Sequence, residues 1–142
     1  MTKAFSTSII IRSTPQVLWA ILTDAARWPD WNPTVTRVDG QVAPGAKITV
    51  YTKASPGRAF PLTVTEFVPD ARMVWSGGMP LGLFKGERVY TLTGRADGTV
   101  EFAMREGFSG LMAPLITRSI PDLQPSFDEF AAALKRRAET SS

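Results

Sequence analysis

Hydrophobic and polar positions alternate in short segments through the middle of this chain, from about residue 34 to residue 108. Turn residues such as Pro44-Gly45 and Asp97-Gly98 separate these segments, which is typical of strands joined by hairpins. An eight-residue segment near the start, over 5–12, has three isoleucines towards its end, Ile9, Ile10 and Ile11, and predicts one further strand before the others. The pattern therefore predicts a seven-stranded antiparallel sheet, with its other strands at 34–39, 46–53, 59–68, 72–78, 84–94 and 99–107.

The segment between the first two strands has the spacing of helices. Thr14 can cap a helix whose first residue is Pro15, and apolar residues then recur at helical spacing until about Asp24. The following run, Trp28-Pro29-Asp30-Trp31-Asn32-Pro33, predicts a short helical turn and a fixed corner. Two short helices are therefore expected after the first strand.

The C-terminal part returns to helical spacing. Its apolar residues are separated by four, three, four, three and four positions, which predicts one continuous apolar stripe: Ile116, Ile120, Leu123, Phe127, Phe130 and Leu134. Pro125 should kink this helix or mark where its regular part begins. No other long amphipathic helix can cover the sheet, so the expected fold is α+β, with a curved antiparallel sheet wrapped around the C-terminal helix. Such layers often leave a hollow that binds apolar ligands.

Length and composition limit the classes of function. With 142 residues and 44% hydrophobic residues, the chain should form a single domain over 1–142. The absence of Cys and His excludes thiolate and histidine catalysis, and we expect no metal and no cofactor. The net charge of +3 is small and scattered, so nucleic acid is not an expected partner. The chain contains no apolar run of about 18 residues, so no transmembrane segment is predicted. The cytoplasm is the expected location, since neither Cys nor an export signal is found.

Two charged residues fall on the face of the last hairpin that should look inward. If Asp97-Gly98 turns the hairpin so that opposed residue numbers sum to about 192, Arg88 opposes Met104 and Glu106 opposes Gly86. The even-numbered residues of 84–92 and 100–108, mostly apolar, then line the interior. Arg88 and Glu106 would lie diagonally, within reach of each other.

These two side chains allow a structural and a functional interpretation. They can form an ion pair that orders the hairpin, because isolated charges in an apolar interior are unfavourable. Alternatively, they can present a donor fork and a carboxylate to the polar end of a ligand. If the protein is an enzyme, its candidate catalytic residues are Glu106, Arg88 and Tyr90, with Arg88 holding a carbonyl or carboxylate while Glu106 or Tyr90 moves a proton.

The element order resembles the helix-grip superfamily, also called START-like, SRPBCC or polyketide cyclase/dehydrase-like. The residues that carry the resemblance extend over nearly the whole chain, and they include Ser13-Thr14-Pro15, Trp28-Pro29-Asp30-Trp31-Asn32-Pro33, Val64-Thr65-Glu66-Phe67-Val68-Pro69, Val74-Trp75 and Glu106-Gly107-Phe108-Ser109-Gly110-Leu111. The resemblance, to small bacterial single-domain members, implies a deep cavity under the C-terminal helix. The residues expected to line it are Trp31, Tyr51, Trp75, Phe84, Arg88, Tyr90, Phe102, Met104, Glu106, Phe108, Met112, Ile116 and Ile120.

Three functions remain open at this point. The leading hypothesis is a binder of a hydrophobic or amphipathic small molecule, such as a lipid, an isoprenoid or a polyketide. The second is a cyclase or dehydratase acting on a polyketide-like substrate. The third is a protein-interaction module of the chaperone-activator or toxin type, which would use an exposed patch. The sequence is compatible with a monomer and with a homodimer.

Overall fold

The structure is a computed structural model that describes residues 4–140, and its elements follow the predicted order. The strands are β1 (Ala4–Ile11), β2 (Val35–Asp39), β3 (Lys47–Thr52), β4 (Phe60–Val68), β5 (Arg72–Met79), β6 (Phe84–Gly94) and β7 (Val100–Ser109). The α-helices are α1 (Pro15–Thr23), α2 (Trp28–Trp31), α3 (Ala113–Ile116) and α4 (Gln124–Thr140). Short 3-10 turns lie at Ala25–Arg27 and Thr117–Ser119. The α+β helix-grip fold is confirmed.

All seven strands form one antiparallel sheet in the order β1-β7-β6-β5-β4-β3-β2. Helix α4 covers its concave face with Phe127, Phe130 and Leu134, all fully buried. No helix among residues 4–140 is long and apolar enough to cross a membrane. The sheet and α4 together therefore enclose the apolar core from which the candidate site is built.

Polar side chains of α4 fasten the helix to the free edge of β1. Gln124 donates from Nε2 to the Ser6 carbonyl oxygen at 2.7 Å, and Lys135 donates from Nζ to the Ile10 carbonyl oxygen at 2.8 Å. At the far end, the backbone N–H of Arg12 donates to the Glu139 carboxylate at 2.9 Å. An edge strand exposes unpaired backbone groups, and these bonds satisfy several of them.

The C-terminal segment differs from the prediction of one continuous stripe. Ile116 ends α3, and Ile120 is extended with φ −80° and ψ 126°. Ile120 precedes Pro121, and a residue before proline is disfavoured in the helical region. The regular helix begins only at Gln124, next to Pro125, so the second of the two expectations for this proline is confirmed.

Candidate functional site

The side chains of the last hairpin, β6 and β7, alternate between interior and exterior as predicted. The even-numbered residues of β6 and β7 point to the interior, where Tyr90, Leu92, Phe102 and Met104 are buried. Their odd-numbered neighbours lie on the convex face. The interior face of the hairpin therefore carries the candidate charged pair, as the sequence predicted.

The register of the hairpin differs from the expected one by two residues. Arg88 directly opposes Glu106, whereas the predicted opposite residue was Met104. The difference arises because the turn is centred on Asp97, with the Arg95 N–H donating to the Thr99 carbonyl oxygen at 2.8 Å. A shift of two residues keeps the same face of a strand inward. The assignment of Arg88 and Glu106 to the interior is therefore correct despite the error in register, and the two side chains lie directly opposite each other on neighbouring strands.

Arg88 and Glu106 form a close ion pair at the inner face of the sheet. Nε of Arg88 donates to Oε1 of Glu106 at 2.6 Å, and their side chains are 21% and 16% exposed. The Arg88 guanidinium also lies over the ring of Phe127 on α4, with its carbon 4.8 Å from the ring centroid. Burial alone would lower the pKa of Arg88, but the Glu106 carboxylate raises it above its ordinary value. Arg88 therefore keeps its positive charge.

A cluster of aromatic rings fills the space between the pair and the short helices. Trp28 stacks on Trp75 with centroids 5.2 Å apart, and it meets Phe130 edge to face at the same distance. Tyr90 contacts Trp75 with ring centroids 5.0 Å apart. Phe102 stacks on Phe130 at 5.9 Å. We call these five residues the aromatic cluster.

Two polar atoms of the aromatic cluster are buried without a hydrogen bond of regular geometry to the described residues. The indole N–H of Trp75 and the hydroxyl of Tyr90 make no hydrogen bond of regular geometry with the residues in 4–140. The Arg88 guanidinium interacts with that hydroxyl electrostatically and as a hydrogen-bond donor, but it has no acceptor atom, so the hydroxyl proton stays without an acceptor. Trp75 directly opposes Arg88 across β5 and β6. Most buried polar groups in proteins are hydrogen-bonded, so two orphan donors beside an ion pair are an unusual feature.

Burial raises the pKa of Tyr90 above its ordinary value of 10.0, although the nearby Arg88 charge works against this. The hydroxyl is therefore a neutral donor at physiological pH. Trp75, Tyr90 and Arg88 thus place three side chains with hydrogen-bond donors at neighbouring positions on the inner face of the sheet. Such a set is suited to a carbonyl or carboxylate oxygen.

We expect the Tyr90→Phe variant to be more stable than the unmodified protein when no ligand is present. Removing an unsatisfied buried hydroxyl should raise the free energy of unfolding by about 1 kcal/mol. Because burial raises the pKa of Tyr90 in the folded state, the hydroxyl ionises first in the unfolded chain, and the free energy of unfolding of the unmodified protein should fall as the pH rises above about 10. Denaturant unfolding at neutral pH and above pH 10 should show a smaller alkaline loss in Tyr90→Phe. Tyr51→Phe is the control, and equal alkaline losses in both variants would contradict the assignment.

The other predicted lining residues are distributed over three places. Trp31 borders the aromatic cluster through Phe130, with centroids 5.7 Å apart, and Phe84 stacks on Phe108 at 5.9 Å nearer the end of the hairpin. Met104 is buried beside Tyr90. Met112, Ile116 and Ile120 are half-buried in the segment between β7 and α4.

Tyr51 is placed differently from the expectation that it lines the interior. Ile48 and Val50 of β3 are buried, so Tyr51 points to the opposite face. There the Arg37 guanidinium lies over its ring, 4.4 Å from the centroid. Tyr51 is therefore outside the candidate site.

Three residues at the site, Trp28, Phe127 and Phe130, were not among those predicted from the sequence. Trp28 lies at the centre of the aromatic cluster, and its indole N–H donates to the Leu22 carbonyl oxygen at 3.1 Å. Phe127 and Phe130 belong to the apolar stripe, which faces the hairpin. A signal was available, because the stripe of the only long amphipathic helix must face the residues that point inward from the sheet.

A concave feature lies on the surface, and none of its lining residues belongs to the aromatic cluster. It is a cleft of about 270 Å³ lined by residues 23–26 and 40–42. Its lining includes Asp24, which is engaged by Arg27 at 3.5 Å. Within residues 4–140, no group of three or more His, Cys, Asp or Glu is arranged to hold a metal ion.

Comparisons with known proteins agree with the fold. The model of the family described as polyketide cyclase/dehydrase and lipid transport matches residues 2–139. A hypothetical protein of Helicobacter pylori is 16% identical, with a TM-score of 0.78 over 96% of this chain and 88% of that one. A START superfamily protein from Mycobacterium smegmatis is 12% identical, with a TM-score of 0.73 over 98% of this chain and 99% of that one.

An aromatase/cyclase is also among the similar structures. ZhuI from Streptomyces sp. R1128 is 9% identical, with a TM-score of 0.73 over 98% of this chain and 94% of its own. At these identities the structural likeness shows the fold alone. A search of curated protein sequences found no match.

Proposed function

Because the chain belongs to the polyketide cyclase/dehydrase and lipid transport family, we propose that it binds a hydrophobic or amphipathic small molecule between the sheet and α4. The body of the ligand would lie against the aromatic cluster. Its polar end would accept hydrogen bonds from Trp75, Tyr90 and Arg88. Lipids, isoprenoids and polyketides that carry a carbonyl or carboxylate have this composition.

The observation that carries the proposal is the pair of orphan donors. An unsatisfied buried donor costs about 1–3 kcal/mol, so two of them on rings in contact destabilise the core considerably unless a ligand satisfies them. A ligand oxygen placed between Trp75 and Tyr90 would satisfy both donors. Arg88 lies on the neighbouring position of the ladder and would supply the positive charge for an acidic head group.

Ligand entry must displace aromatic rings, since these rings occupy the space between the sheet and α4. The segment over 110–123 connects β7 to α4, and its only helical structure is two single turns, Ala113–Ile116 and Thr117–Ser119. A ligand that enters here would separate α4 from the hairpin locally. We therefore expect binding to be slow relative to diffusion and to change tryptophan fluorescence.

The state of the candidate catalytic residues favours binding over catalysis. Glu106 already accepts the hydrogen bond of Arg88, and the raised pKa of Tyr90 keeps that hydroxyl protonated. The Glu106 carboxylate is therefore occupied and the Tyr90 hydroxyl protonated, so neither group is free to accept a proton from a substrate. The cyclase or dehydratase alternative would require a substrate that breaks the ion pair.

Binding can be measured by tryptophan fluorescence with a long-chain fatty acid, the alkane of the same length and a polycyclic aromatic ketone. We expect the fatty acid or the ketone to bind, and Tyr90→Phe to weaken that binding roughly tenfold because one hydrogen bond is lost. Tyr51→Phe, on the convex face, should bind as the unmodified protein does. Equal affinity of all three proteins for every probe would contradict the proposed polar subsite. If none of the probes binds, the interaction-module hypothesis is the better one.

A further inference from the structure

Four large apolar side chains are exposed together at one end of the molecule. Leu81 is 93% exposed and Leu111 is 83% exposed, and Leu115 and Met79 are at least half exposed. Leu81 lies in the turn between β5 and β6, and Leu111 and Leu115 follow β7. We call these four residues the leucine tip.

Backbone hydrogen bonds join the two parts of the leucine tip. The Leu111 N–H donates to the Gly82 carbonyl oxygen at 3.2 Å, and the Met112 N–H donates to the Leu83 carbonyl oxygen at 2.7 Å. Gly110 has a φ of +108°, and a Cβ there would lie 2.7 Å from the Leu83 carbonyl oxygen. The two turns are therefore in close contact, and their leucines form one surface.

The conformation of Leu81 gives the fold no advantage. Its φ is +60°, in the left-handed region that costs a side chain such as leucine about 1–2 kcal/mol. Glycine or asparagine would adopt this conformation more easily and would avoid exposing an apolar side chain. A residue that is unfavourable both in conformation and in solvation points to a role outside the fold.

Positively charged side chains lie at the same end of the sheet as the leucine tip. Lys85 and Arg118 lie in the same two segments, and Lys53 and Arg58 lie in the turn between β3 and β4 at the same end of the sheet. All four are exposed, although Lys85 also contacts Glu87 at 3.3 Å. Over 53–59, 79–85 and 109–123, the only acidic residue is Asp122. Its carboxylate accepts a hydrogen bond from the Gln124 N–H.

We propose that the leucine tip docks on the surface of an anionic lipid bilayer. Exposed leucines held on two tight turns can enter the boundary between head groups and acyl chains, as the apolar faces of peripheral proteins do. The Lys and Arg side chains at this end of the sheet match the negative charge of the lipid phosphates. The inference goes beyond the proposed small-molecule binding, because it concerns the outer surface and does not depend on the orphan donors.

The test is co-sedimentation with vesicles of phosphatidylcholine containing 30% phosphatidylglycerol, compared with vesicles of phosphatidylcholine alone. We expect the unmodified protein to bind the anionic vesicles more tightly, and added salt to weaken this binding. The double variant Leu81→Asn/Leu111→Ser should bind roughly tenfold less tightly, because two apolar side chains no longer enter the bilayer. It should remain folded, since asparagine tolerates a positive φ.

A matched control removes two exposed apolar side chains elsewhere. Ile10→Ser/Val68→Ser changes residues outside the leucine tip, and it should bind as the unmodified protein does. The contribution of charge is tested by comparing the affinity of two double variants for anionic vesicles. One is Lys85→Gln/Arg118→Gln near the leucine tip, and the other is Lys47→Gln/Arg95→Gln at the opposite end of the sheet. The first should lose roughly tenfold or more in affinity, and the second considerably less.

Three outcomes would overturn the proposal. The first is equal vesicle binding by the leucine-tip variant and its control. The second is equal binding of the unmodified protein to neutral and anionic vesicles. The third is absence of vesicle binding, together with self-association that Leu81→Asn/Leu111→Ser abolishes. The last result, seen by sedimentation equilibrium, would mean that a second copy of the chain covers the leucine tip. Tyr90→Phe should bind vesicles normally, which keeps a failure here distinct from a failure of the proposed function.

Discussion

Replacing Trp28 with alanine is expected to lower the free energy of unfolding by about 3–5 kcal/mol, as large-to-small changes of buried aromatic residues do. Trp28 is fully buried and stacks on Trp75, and its indole N–H is hydrogen-bonded to the Leu22 carbonyl oxygen. The change removes the central ring of the aromatic cluster and leaves a void. A domain of ordinary stability has about 5–15 kcal/mol in total, so the variant should be barely stable. Denaturant unfolding measures the loss.

Two controls separate packing from hydrogen bonding. Trp28→Phe keeps a ring in the cluster but loses the indole N–H, so it should cost clearly less than Trp28→Ala. Trp31→Ala removes a half-buried ring from the same helical turn and should cost about 1–2 kcal/mol. Should Trp28→Ala cost no more than Trp31→Ala, Trp28 would not hold the sheet, α2 and α4 together.

The sheet could be predicted from the sequence because its information is local. Turn dipeptides and alternation placed every strand within about two residues, the usual uncertainty of element boundaries. Alternation also assigned Arg88 and Glu106 to the interior, and this assignment tolerated the error in the hairpin register. The register itself depended on which residue centres the turn. The Arg95–Thr99 hydrogen bond decides this, and the sequence does not display it.

The candidate site was predicted less completely, because its members come from distant parts of the chain. Trp28 on α2, Trp75 on β5 and Phe130 on α4 meet only after folding, so no spacing in the sequence connects them. Tyr51 is a different case. The alternation of Ile48 and Val50 already indicated that Tyr51 faces outward, and its aromatic character outweighed that signal. The break at Ile120 was also indicated locally, by Pro121.

The ion pair offers the second large effect. Glu106→Gln or Arg88→Met should each lower the free energy of unfolding by about 2 kcal/mol, less than the 3–5 kcal/mol typical of fully buried pairs because both side chains keep some exposure. Glu106→Gln leaves the Arg88 charge unpaired over the Phe127 ring, and Arg88→Met leaves the Glu106 carboxylate unpaired on β7. The double variant Arg88→Met/Glu106→Leu leaves no unpaired charge and should cost much less than either single one. Thermal melts of the three variants test this order.

An exposed pair of similar length provides the matched control. Arg72 donates to Glu66 at 2.8 Å on the convex face, where the side chains are 42% and 44% exposed, so Glu66→Gln should cost at most about 1 kcal/mol. If Glu106→Gln costs no more than Glu66→Gln, the interior pair does not stabilise the hairpin. Ligand experiments on the same variants distinguish the functions. The binding proposal expects Arg88→Met/Glu106→Leu to keep its affinity for an alkane and lose its affinity for a fatty acid. A cyclase would instead retain substrate binding in Glu106→Gln and lose turnover, since only the proton-transferring group would be missing.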